Sequence, residues 1–416
     1  MTEQAKVPEI RFAGFTDPWE QRKFGDCFEF LKSNTLSRAG LNGENGTARN
    51  VHYGDILIKF GDCLDGERSD LPFITDDTVL PKYAGSILRE GDVIFADTAE
   101  DETAGKCVEL RKLPKEPTIS GLHTIPARPR FPFGTGYLGH YLNSDAYHRQ
   151  LLPLMQGIKV ISVSKAALQD TQVRFPGLSE QSAIGAALNE IDSLITLHQR
   201  KYDKLVVFKK SMLEKMFPKD GESVPEIRFA GFTDPWEQRK ASEVFQIVDD
   251  RGHPTLPVLS ATQNQGMIYR DDSGRYIGHD ESNEIGYKRV LPGDFVVHLR
   301  SFQGGFAHSQ YEGITSPAYT VFRAKEPTSH SDRFWKHWFM SEHFIAGLST
   351  VTYGIRDGRS ISVDEFMNTF LAFPAVEEQA AISRLFDYLD DLITLHQRKL
   401  ELLQNIKKSL LDKMFV

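Results

Sequence analysis

Three glycines, Gly134, Gly136 and Gly139, give the spacing GxGxxG, with which many proteins bind the phosphates of a dinucleotide. Such a site requires a strand before the first glycine and an acidic residue about 20 positions after the motif. Here the motif follows Pro132-Phe133 rather than a strand, and no acidic residue stands at that distance. The spacing therefore does not predict a nucleotide site.

Patterns typical of enzymes are missing elsewhere in the sequence. It contains no Walker A loop, no HExxH zinc motif, no GxSxG nucleophile motif and no NPPY-type motif of adenine methyltransferases. Histidines such as His123, His298 and His308 lack the spacing of metal ligands, and we interpret them as hydrogen-bonded or solvated side chains. We expect no catalytic residue, no metal site and no cofactor.

The chain is instead organised by a repeat. The eight residues Leu194–Lys201 recur unchanged as Leu392–Lys399, each time inside a long helical pattern with apolar residues at alternating spacings of four and three. This is a heptad seam, which needs a partner helix, and each copy of roughly 38 residues would extend about 57 Å. The other copy is the expected partner, paired antiparallel with the midpoint near two seam histidines. Polar residues interrupt both seams at matching positions, which are His198 and Lys209 in the first copy and His396 and Lys407 in the second.

A second repeat precedes each variable part of the chain. The seventeen residues Val7–Lys23 return without a change as Val224–Lys240, and we call these two segments the clips. Each clip carries two phenylalanines and a tryptophan beside glycine and proline, a composition that favours packing on a larger element, such as the end of a long helix. An edge segment without a binding role is the alternative.

Between the repeats lie two inserts of different sequence, which we expect to be mixed α/β globules fused to the helix that follows. Short strands are predicted at Gly54–Ile58, Gly91–Phe95 and Gly293–Val297, each opened by a Gly-Asp pair. Helical periodicity covers Gly136–Leu152 and Phe334–Ile345. The predicted segments are the first clip (1–23), the first insert (24–178), a central long helix (179–217), a linker with the second clip (218–240), the second insert (241–376) and a C-terminal long helix (377–416).

Composition indicates an ordinary soluble protein. The cysteines Cys27, Cys63 and Cys107 stand far apart, which argues against a zinc site or a disulfide framework and favours buried thiols of a cytoplasmic protein. No apolar run approaches the roughly 20 residues that span a bilayer, so we expect no membrane association. The net charge of -8 gives no sign of nucleic-acid binding, so any affinity for DNA must come from local patches or partner subunits.

A globular insert followed by a long heptad helix, present twice with identical repeats at the junctions, resembles the specificity subunit of type I restriction-modification systems. The likeness covers nearly the whole chain and includes the Glu-Gln pairs that follow each Phe-Pro, at Glu180-Gln181 and Glu378-Gln379. Inside the inserts, Phe95–Asp101, Arg300–Gly305 and Ser316–Tyr319 look like parts of that family's target recognition domains.

The resemblance implies a mixed α/β fold with two target recognition domains, separated by two long antiparallel coiled-coil helices in a pseudo-two-fold repeat. It also implies a non-catalytic subunit that binds double-stranded DNA. Each recognition domain would read one half of a bipartite target, and the helices would set the gap and dock two modification (methyltransferase) subunits. Restriction subunits, which carry endonuclease and translocase activity, would join outside them.

Base reading calls for side chains on loops that make bidentate hydrogen bonds with base edges. In the second insert the candidates are Gln263, Asn264, Arg300, Gln303, Arg356 and Arg359. Aligning the Gly-Asp strands places Thr98 opposite Arg300. The candidates of the first insert are therefore Thr98 and Lys106, with Ser37, Arg38 and Lys59 in addition.

Two other interpretations remain open. A coiled-coil scaffold that presents two domains to other proteins without touching DNA agrees with the negative charge; clustering of basic residues on one face of each insert would speak against it. A fused restriction-methylation enzyme is disfavoured by the missing motifs. If the chain is a specificity subunit, we expect tight, salt-sensitive DNA binding only together with the modification subunits.

Overall fold

A computed structural model of the chain describes residues 7–67, 70–219, 221–262, 265–273, 281–297, 305–347, 352–353 and 360–416. The chain forms two compact units: unit 1 comprises Met1–Gln199 with Gln397–Val416, and unit 2 comprises Arg200–His396. Both boundaries fall inside a long helix. Each unit therefore holds one clip, one insert, the start of one long helix and the end of the other.

The helices are α1 (Phe24–Cys27), α2 (Tyr53–Ile58), α3 (Tyr137–Asn143), α4 (Asp145–His148), α5 (Lys165–Asp170), α6 (Leu178–Lys215), α7 (Ala241–Val244), α8 (Asp332–Trp338), α9 (Glu342–Gly347), α10 (Val363–Asn368) and α11 (Val376–Met414). Short 3-10 helices lie at Arg38–Gly40, Asp77–Ser86, Leu152–Leu154, Arg270–Ser273 and Glu281–Gly286. Among the described residues, no helix has the length and apolar character that crossing a bilayer requires.

The strands of unit 1 are β1 (Glu20–Lys23), β2 (Phe28–Phe30), β3 (Leu41–Asn42), β4 (Arg49–Val51), β5 (Cys63–Asp65), β6 (Phe73–Ile74), β7 (Val93–Ala96), β8 (Thr98–Ala99), β9 (Cys107–Lys112), β10 (Thr118–Ser120), β11 (Thr124–Pro129), β12 (Ile161–Ser162) and β13 (Gln172–Phe175). Those of unit 2 are β14 (Glu237–Lys240), β15 (Phe245–Val248), β16 (Leu259–Thr262), β17 (Gly266–Tyr269), β18 (Lys288–Val290), β19 (Phe295–Val297), β20 (Phe306–His308), β21 (Gly313–Thr315), β22 (Thr320–Ala324), β23 (Thr352–Tyr353), β24 (Ser360–Ile361) and β25 (Phe370–Phe373).

A central sheet organises each insert. In unit 1 its order is β2-β11-β7-β9-β5, antiparallel except for the parallel pair β5 and β9. In unit 2 the order β15-β22-β19-β20 repeats the first four positions with the same antiparallel pairing. The inner strands β7 and β19 are buried at every residue, which explains their unbroken apolar sequences. A second sheet, β10-β4-β6-β3, belongs to unit 1.

Within each unit, the parts of α6 and α11 pack antiparallel. In unit 1, Ile184 and Leu188 near the start of α6 share a buried core with Met414 and Phe415 at the end of α11. In unit 2, Phe217, just after α6, stacks on Phe386 of α11 with ring centroids 5.8 Å apart. The predicted pairing of the two repeated helices is confirmed.

The seam lysines have partners on the opposite helix. Lys407 of α11 lies 2.6 Å from a carboxylate oxygen of Asp192 of α6. Lys209 of α6 forms the equivalent ion pair with Asp390 of α11. A half-buried ammonium that meets its carboxylate in one alignment disfavours every other alignment, so these pairs help to fix the register.

Both clips pack on the end of a long helix within their own unit. The Trp19 ring lies 6.5 Å from the Phe415 ring, and the Ile10 backbone N–H donates to the Lys413 carbonyl at 3.0 Å. The last residues of the first clip form β1, which pairs with β13 at the entrance to α6. The second clip repeats these contacts, with Trp236 beside Phe217 and the Ile227 N–H on the Lys215 carbonyl.

The Glu-Gln pairs join clip, insert and helix. Glu180 accepts two hydrogen bonds from the Arg11 guanidinium, at 2.6 and 2.8 Å, and only 3% of its side chain is exposed. Gln181 accepts from the Gly134 N–H and donates to the Pro176 carbonyl. Equivalent contacts in the second copy join Glu378 to Arg228, and Gln379 to Ser331 and Pro374. These buried contacts give a structural reason for the repetition of the pair.

One predicted strand is wrong. Gly54–Ile58 lies in helix α2, because the His52 ring accepts a hydrogen bond from the Gly54 N–H and Asp55 places its carboxylate in the first turn. A Gly-Asp pair can open either element, and the strands predicted at Gly91–Phe95 and Gly293–Val297 do contain β7 and β19.

Three helix limits also differ from the prediction. The stretch Gly136–Leu152 is divided at Ser144 into α3 and α4, and the Ser144 hydroxyl donates to the Tyr141 carbonyl. Phe334–Ile345 is similarly divided between α8 and α9. The central long helix ends at Lys215, before the expected Phe217, since the residue that precedes Pro218 is disfavoured in a helix.

Candidate nucleic-acid interface

Helix α2 positions two of the predicted DNA-contacting residues around one carboxylate. The Arg38 guanidinium makes two hydrogen bonds to Asp55, at 2.6 and 2.7 Å, and the Lys59 ammonium lies 3.1 Å from the same group. Burial favours a higher pKa for Asp55, but the hydrogen bonds from Arg38 and Lys59 lower it below its ordinary value. Arg38 and Lys59 stay about half exposed, at 52% and 47%. Asp55 thus holds two cationic side chains at the surface.

A run of rings continues from the start of α2 towards Thr98. The Tyr53 ring lies 4.7 Å from the His52 ring and 5.3 Å from the His123 ring. A ring nitrogen of His123 lies 3.3 Å from a carboxylate oxygen of Asp97, and the Thr98 hydroxyl donates to that carboxylate at 2.7 Å. Burial lowers the pKa of His52.

His123 adopts a left-handed backbone conformation, with φ 53, and its side chain is 48% exposed. Such a conformation is uncommon outside glycine and is found at turns and functional sites. His123 is one of the histidines interpreted above as hydrogen-bonded or solvated, and its placement agrees with that interpretation.

The structure therefore brings Arg38, Lys59 and Thr98 into one chain of contacts. We call this region the α2 surface; its residues are Ser37, Arg38, His52, Tyr53, Asp55, Lys59, Asp97, Thr98 and His123. Ser37 belongs to it because it directly precedes the 3-10 helix that carries Arg38.

Lys106, another predicted DNA-contacting residue, is hydrogen-bonded to the end of α2. Its ammonium donates to the carbonyls of Leu57 and Phe60, at 3.1 and 3.0 Å, and so caps the C-terminal end of α2. Burial lowers the pKa of Lys106 below its ordinary value. These hydrogen bonds hold the Lys106 ammonium at the end of α2, where it stabilises the helix.

The candidates of the second insert have no structural account. Gln263, Asn264, Arg300, Gln303, Arg356 and Arg359 lie outside the described residues, as does His298. Their assignment rests on the sequence alone.

Sequence reasoning missed a basic groove in unit 1. Lys32, Ser33, Lys82, Tyr83 and Lys165 line a groove of about 610 Å³, which we call the lysine groove. Its lysines come from three distant parts of the chain, so no local pattern reveals them. The only available signal is the proximity of Lys32 to the candidates Ser37 and Arg38 in the sequence.

The GxGxxG glycines meet a carboxylate of the chain itself. Glu109, only 2% exposed, accepts hydrogen bonds from the Gly136 and Gly139 N–H groups at 2.6 and 2.9 Å, where α3 begins. A β-carbon on Gly139 would lie 2.2 Å from the Asp62 carbonyl oxygen. The glycines therefore permit close packing around a buried carboxylate, at donors that a phosphate would otherwise use.

A second polar cluster of unit 1 contains residue types that ligate metals. Asp62, His140 and Asp192 lie close enough together to share an ion. However, the Lys407 ammonium already lies 2.7 Å from Asp62 and 2.6 Å from Asp192. Burial opposes ionisation of Asp62, but the hydrogen bond from His140 and the charge of Lys407 lower its pKa to about 2.

In unit 2, His337, Asp387 and Asp390 form a comparable group, in which Lys209 and Lys336 supply the positive charge. In both clusters lysine balances the carboxylates, so the geometry fits a structural ion-pair network that joins insert to helix.

Comparisons with known proteins agree with this architecture. No protein-family model matches the chain. It is 20% identical, over 99% of its length, to the chain assigned as the MjaX specificity subunit of a type I restriction enzyme of Methanocaldococcus jannaschii, and covers 94% of that protein. It is 24% identical, over 62% of its length, to the MjaVIII type I specificity subunit of the same organism, and covers 64% of it.

A crystal structure of the type I restriction-modification S subunit from M. genitalium has the same fold, with a TM-score of 0.57, 11% sequence identity and 99% of both chains covered. The chain resembles type I specificity subunits from end to end. The resemblance inferred from the repeats is confirmed, as is the fold class of two mixed α/β domains with long paired helices.

Proposed function

We propose that the chain is the DNA specificity subunit of a type I restriction-modification complex. The observation that carries the proposal is the sequence likeness to two specificity subunits, one of them over 99% of the chain and the other over 62%, together with an architecture in which every junction is built twice. Each recognition domain reads one half of a bipartite target, and the long helices hold the two readers at a fixed separation. The subunit itself is non-catalytic and positions the catalytic subunits.

The α2 surface supports the assignment of DNA reading to the first recognition domain. Two hydrogen bonds to Asp55 already orient the Arg38 side chain and leave part of its guanidinium exposed. Binding DNA would therefore cost Arg38 little further side-chain entropy. Exposed arginine, lysine, threonine and serine are the residue types that contact bases and phosphates. In the second domain, Gln263, Asn264, Arg300, Gln303, Arg356 and Arg359 remain the proposed readers.

Exposed apolar side chains on the long helices support docking of two modification subunits. On the unit 1 part of α11, Leu402 is 58% exposed and Ile406 is 39% exposed. On the unit 2 part, Tyr388 and Leu395 are 61% and 45% exposed. Tyr388, Leu395 and Leu402 recur every seven residues, each directly before a seam position. The seam itself is already covered by the partner helix, so this exposed apolar stripe beside it is suited to binding another protein along each half of the helix pair.

Assembly with the modification subunits would also compensate for the negative net charge of the chain. With a net charge of -8, the chain is poorly suited to binding DNA tightly alone, and the modification subunits supply much of the phosphate contact. Restriction subunits complete the complex. The DNA target and the three free cysteines favour a cytoplasmic location.

Mapping methylated bases tests the proposal. Genomic DNA from cells that express the chain with its modification subunit should carry a split methylated motif, absent without the chain. Arg38→Ala with Lys59→Ala should relax or abolish one half of the motif, and Arg300→Ala with Gln303→Ala should affect only the other half. Removal of a bidentate hydrogen-bonding pair to a base should cost about 1–3 kcal/mol of discrimination.

Arg149→Ala is the matched control for the first domain. Arg149 is 74% exposed and paired with Asp145 outside the α2 surface, so its replacement should leave both halves of the motif intact. A chain that pairs with modification subunits yet directs no split motif would contradict the proposal and favour the scaffold. Against the scaffold, the lysine groove gives unit 1 a basic cluster.

A further inference from the structure

The lysine groove is formed by three ammonium groups from separate elements of unit 1. Lys32 follows β2, Lys82 lies in the 3-10 helix Asp77–Ser86, and Lys165 is the first residue of α5. The Lys165 ammonium donates to the Leu31 carbonyl at 3.1 Å, which holds it beside the loop that carries Lys32. Ser33 and Tyr83 complete the lining.

The charges of this groove are not neutralised. Within the described part of the chain, no carboxylate oxygen lies within 4.0 Å of the Lys32, Lys82 or Lys165 ammonium, whereas Arg38 and Lys59 both have Asp55 as a partner. All three lysine side chains are exposed. Three unpaired cations around one concave surface produce a local positive potential on a chain whose net charge is -8.

We propose that the lysine groove binds backbone phosphates of DNA beside the half-site read by the α2 surface. This inference rests on the proposed function. Lysine ammonium groups and the hydroxyls of serine and tyrosine frequently bind phosphates, and such binding fixes register on the duplex without reading sequence. The ligand class is therefore the sugar-phosphate backbone of double-stranded DNA.

Continuity with the α2 surface favours DNA as the occupant. Residues 32–37 form one loop that leads into the 3-10 helix Arg38–Gly40, with Lys32 and Ser33 at the groove and Ser37 and Arg38 at the α2 surface. Tyr83 packs against the core cluster of Ala48, Ile74 and Ile119, and so does Leu36 of the same loop. A duplex lying along this loop would meet phosphate-binding residues at one end and candidate base-reading residues at the other.

Among the described residues of the second recognition domain, the two positions equivalent to Lys32 and Lys165 are not lysines. Asp249 follows the second clip at the same distance as Lys32 follows the first, and it is paired with Arg251 at 2.6 Å. Val363 begins α10 after a capping serine, as Lys165 begins α5. The lysines of unit 1 are thus not repeated at these two described positions, and we expect the two half-sites to differ in how the DNA backbone is held.

The test measures salt dependence of DNA binding by the full chain in complex with its modification subunits. Fluorescence anisotropy over a range of KCl concentrations should show that K32A/K82A/K165A lowers the slope of log affinity against log salt by about 0.9 for each phosphate no longer neutralised, or roughly 2–3 in total. Affinity should fall about equally for target and non-target duplexes, and the methylated motif should be unchanged. K32R/K82R/K165R should retain the wild-type slope.

The control variant K112A/K115A removes two exposed positive charges from the same unit. Lys112 and Lys115 lie on or after β9, on the far side of the central sheet from β2, so this control should change the slope by less than about one. An unchanged slope in K32A/K82A/K165A, or an equal change in the control, would overturn the groove assignment. A split motif from the wild type would show that the proposed function survives that failure, whereas its absence would remove the function itself.

Discussion

Replacing Lys407 by methionine tests whether a half-buried ammonium joins the helix pair to the first insert. Lys407 lies 2.7 Å from Asp62 in the insert and 2.6 Å from Asp192 in α6, and its own side chain is only 17% exposed. Burial opposes the charge, but the two carboxylates raise the pKa of Lys407 above its ordinary value, so it is an ammonium at neutral pH. Methionine has similar length and helix propensity, which confines the perturbation to the charge.

The expected loss of unfolding free energy depends on the carboxylates of Asp62 and Asp192 that lose their cationic partner. Removing one partner of a buried ion pair typically costs about 3–5 kcal/mol, because the other charge stays buried and unpaired. Asp192 is 29% exposed and can regain water, and His140 still contacts Asp62 at 2.9 Å. We therefore expect the lower end, about 3 kcal/mol. Adding Asp62→Asn removes the stranded charge and should restore about 1–2 kcal/mol, measured as a coupling energy.

Urea unfolding followed by far-ultraviolet circular dichroism measures these free energies. The control is Lys408→Met, which changes the next residue of the same helix, exposed and outside the cluster, and should cost less than about 0.5 kcal/mol. Equal stability of the two single variants would refute the reasoning. So would a double variant whose destabilisation equalled the sum of both single costs, since the two residues would then act independently.

Asp62, Gly139 and the exposed stripe of α11 provide three further tests. Because the pKa of Asp62 is lowered from 3.8 to about 2, its stabilisation is complete above pH 3.8 and is lost as the pH falls through about 2. Asp62→Asn should remove about 2 kcal/mol of this acid dependence in unfolding curves measured across that range. Gly139→Ala should lower stability by about 1–3 kcal/mol in thermal melts, whereas Gly61→Ala, where a β-carbon meets nothing within 4 Å, should not. Leu402→Ser with Ile406→Ser, which changes only the unit 1 part of the stripe, should reduce co-purification from two modification subunits to one while shifting stability by less than about 1 kcal/mol.

The arrangement of long helices and clips could be predicted because the sequence contains each of them twice. Heptad spacing predicts a long helix, and two copies in one chain predict the partner. The aromatic composition of the clips anticipated their place at helix ends, where Trp19 meets Phe415. The Glu-Gln pair was recognised as a family feature, but its physical role became clear only with Arg11 on Glu180.

The candidate site was less predictable, because DNA-contacting surfaces combine distant segments. Lys106 was chosen by proximity to a strand, yet its ammonium caps α2, an element that the sequence had presented as a strand. Lys32, Lys82 and Lys165 form no pattern in sequence, since it is the packing of α5 and of the 3-10 helix Asp77–Ser86 against the start of the insert that brings them together. Periodicity describes a single element, whereas a groove depends on how several elements meet.

The side of each insert that meets the long helices and the side that faces solvent therefore follow different physical requirements. Where an insert meets the helices, both copies need a lysine to balance carboxylates in a partly buried seam, and Lys209 and Lys407 occupy equivalent positions. Where an insert faces solvent, no such requirement acts, and Lys32 can have Asp249 as its counterpart without cost to the fold. A molecule built in this way can change what either domain binds while its spacing stays fixed. Exchange of an insert between two such chains should then transfer one half of a methylated motif and leave the gap unchanged.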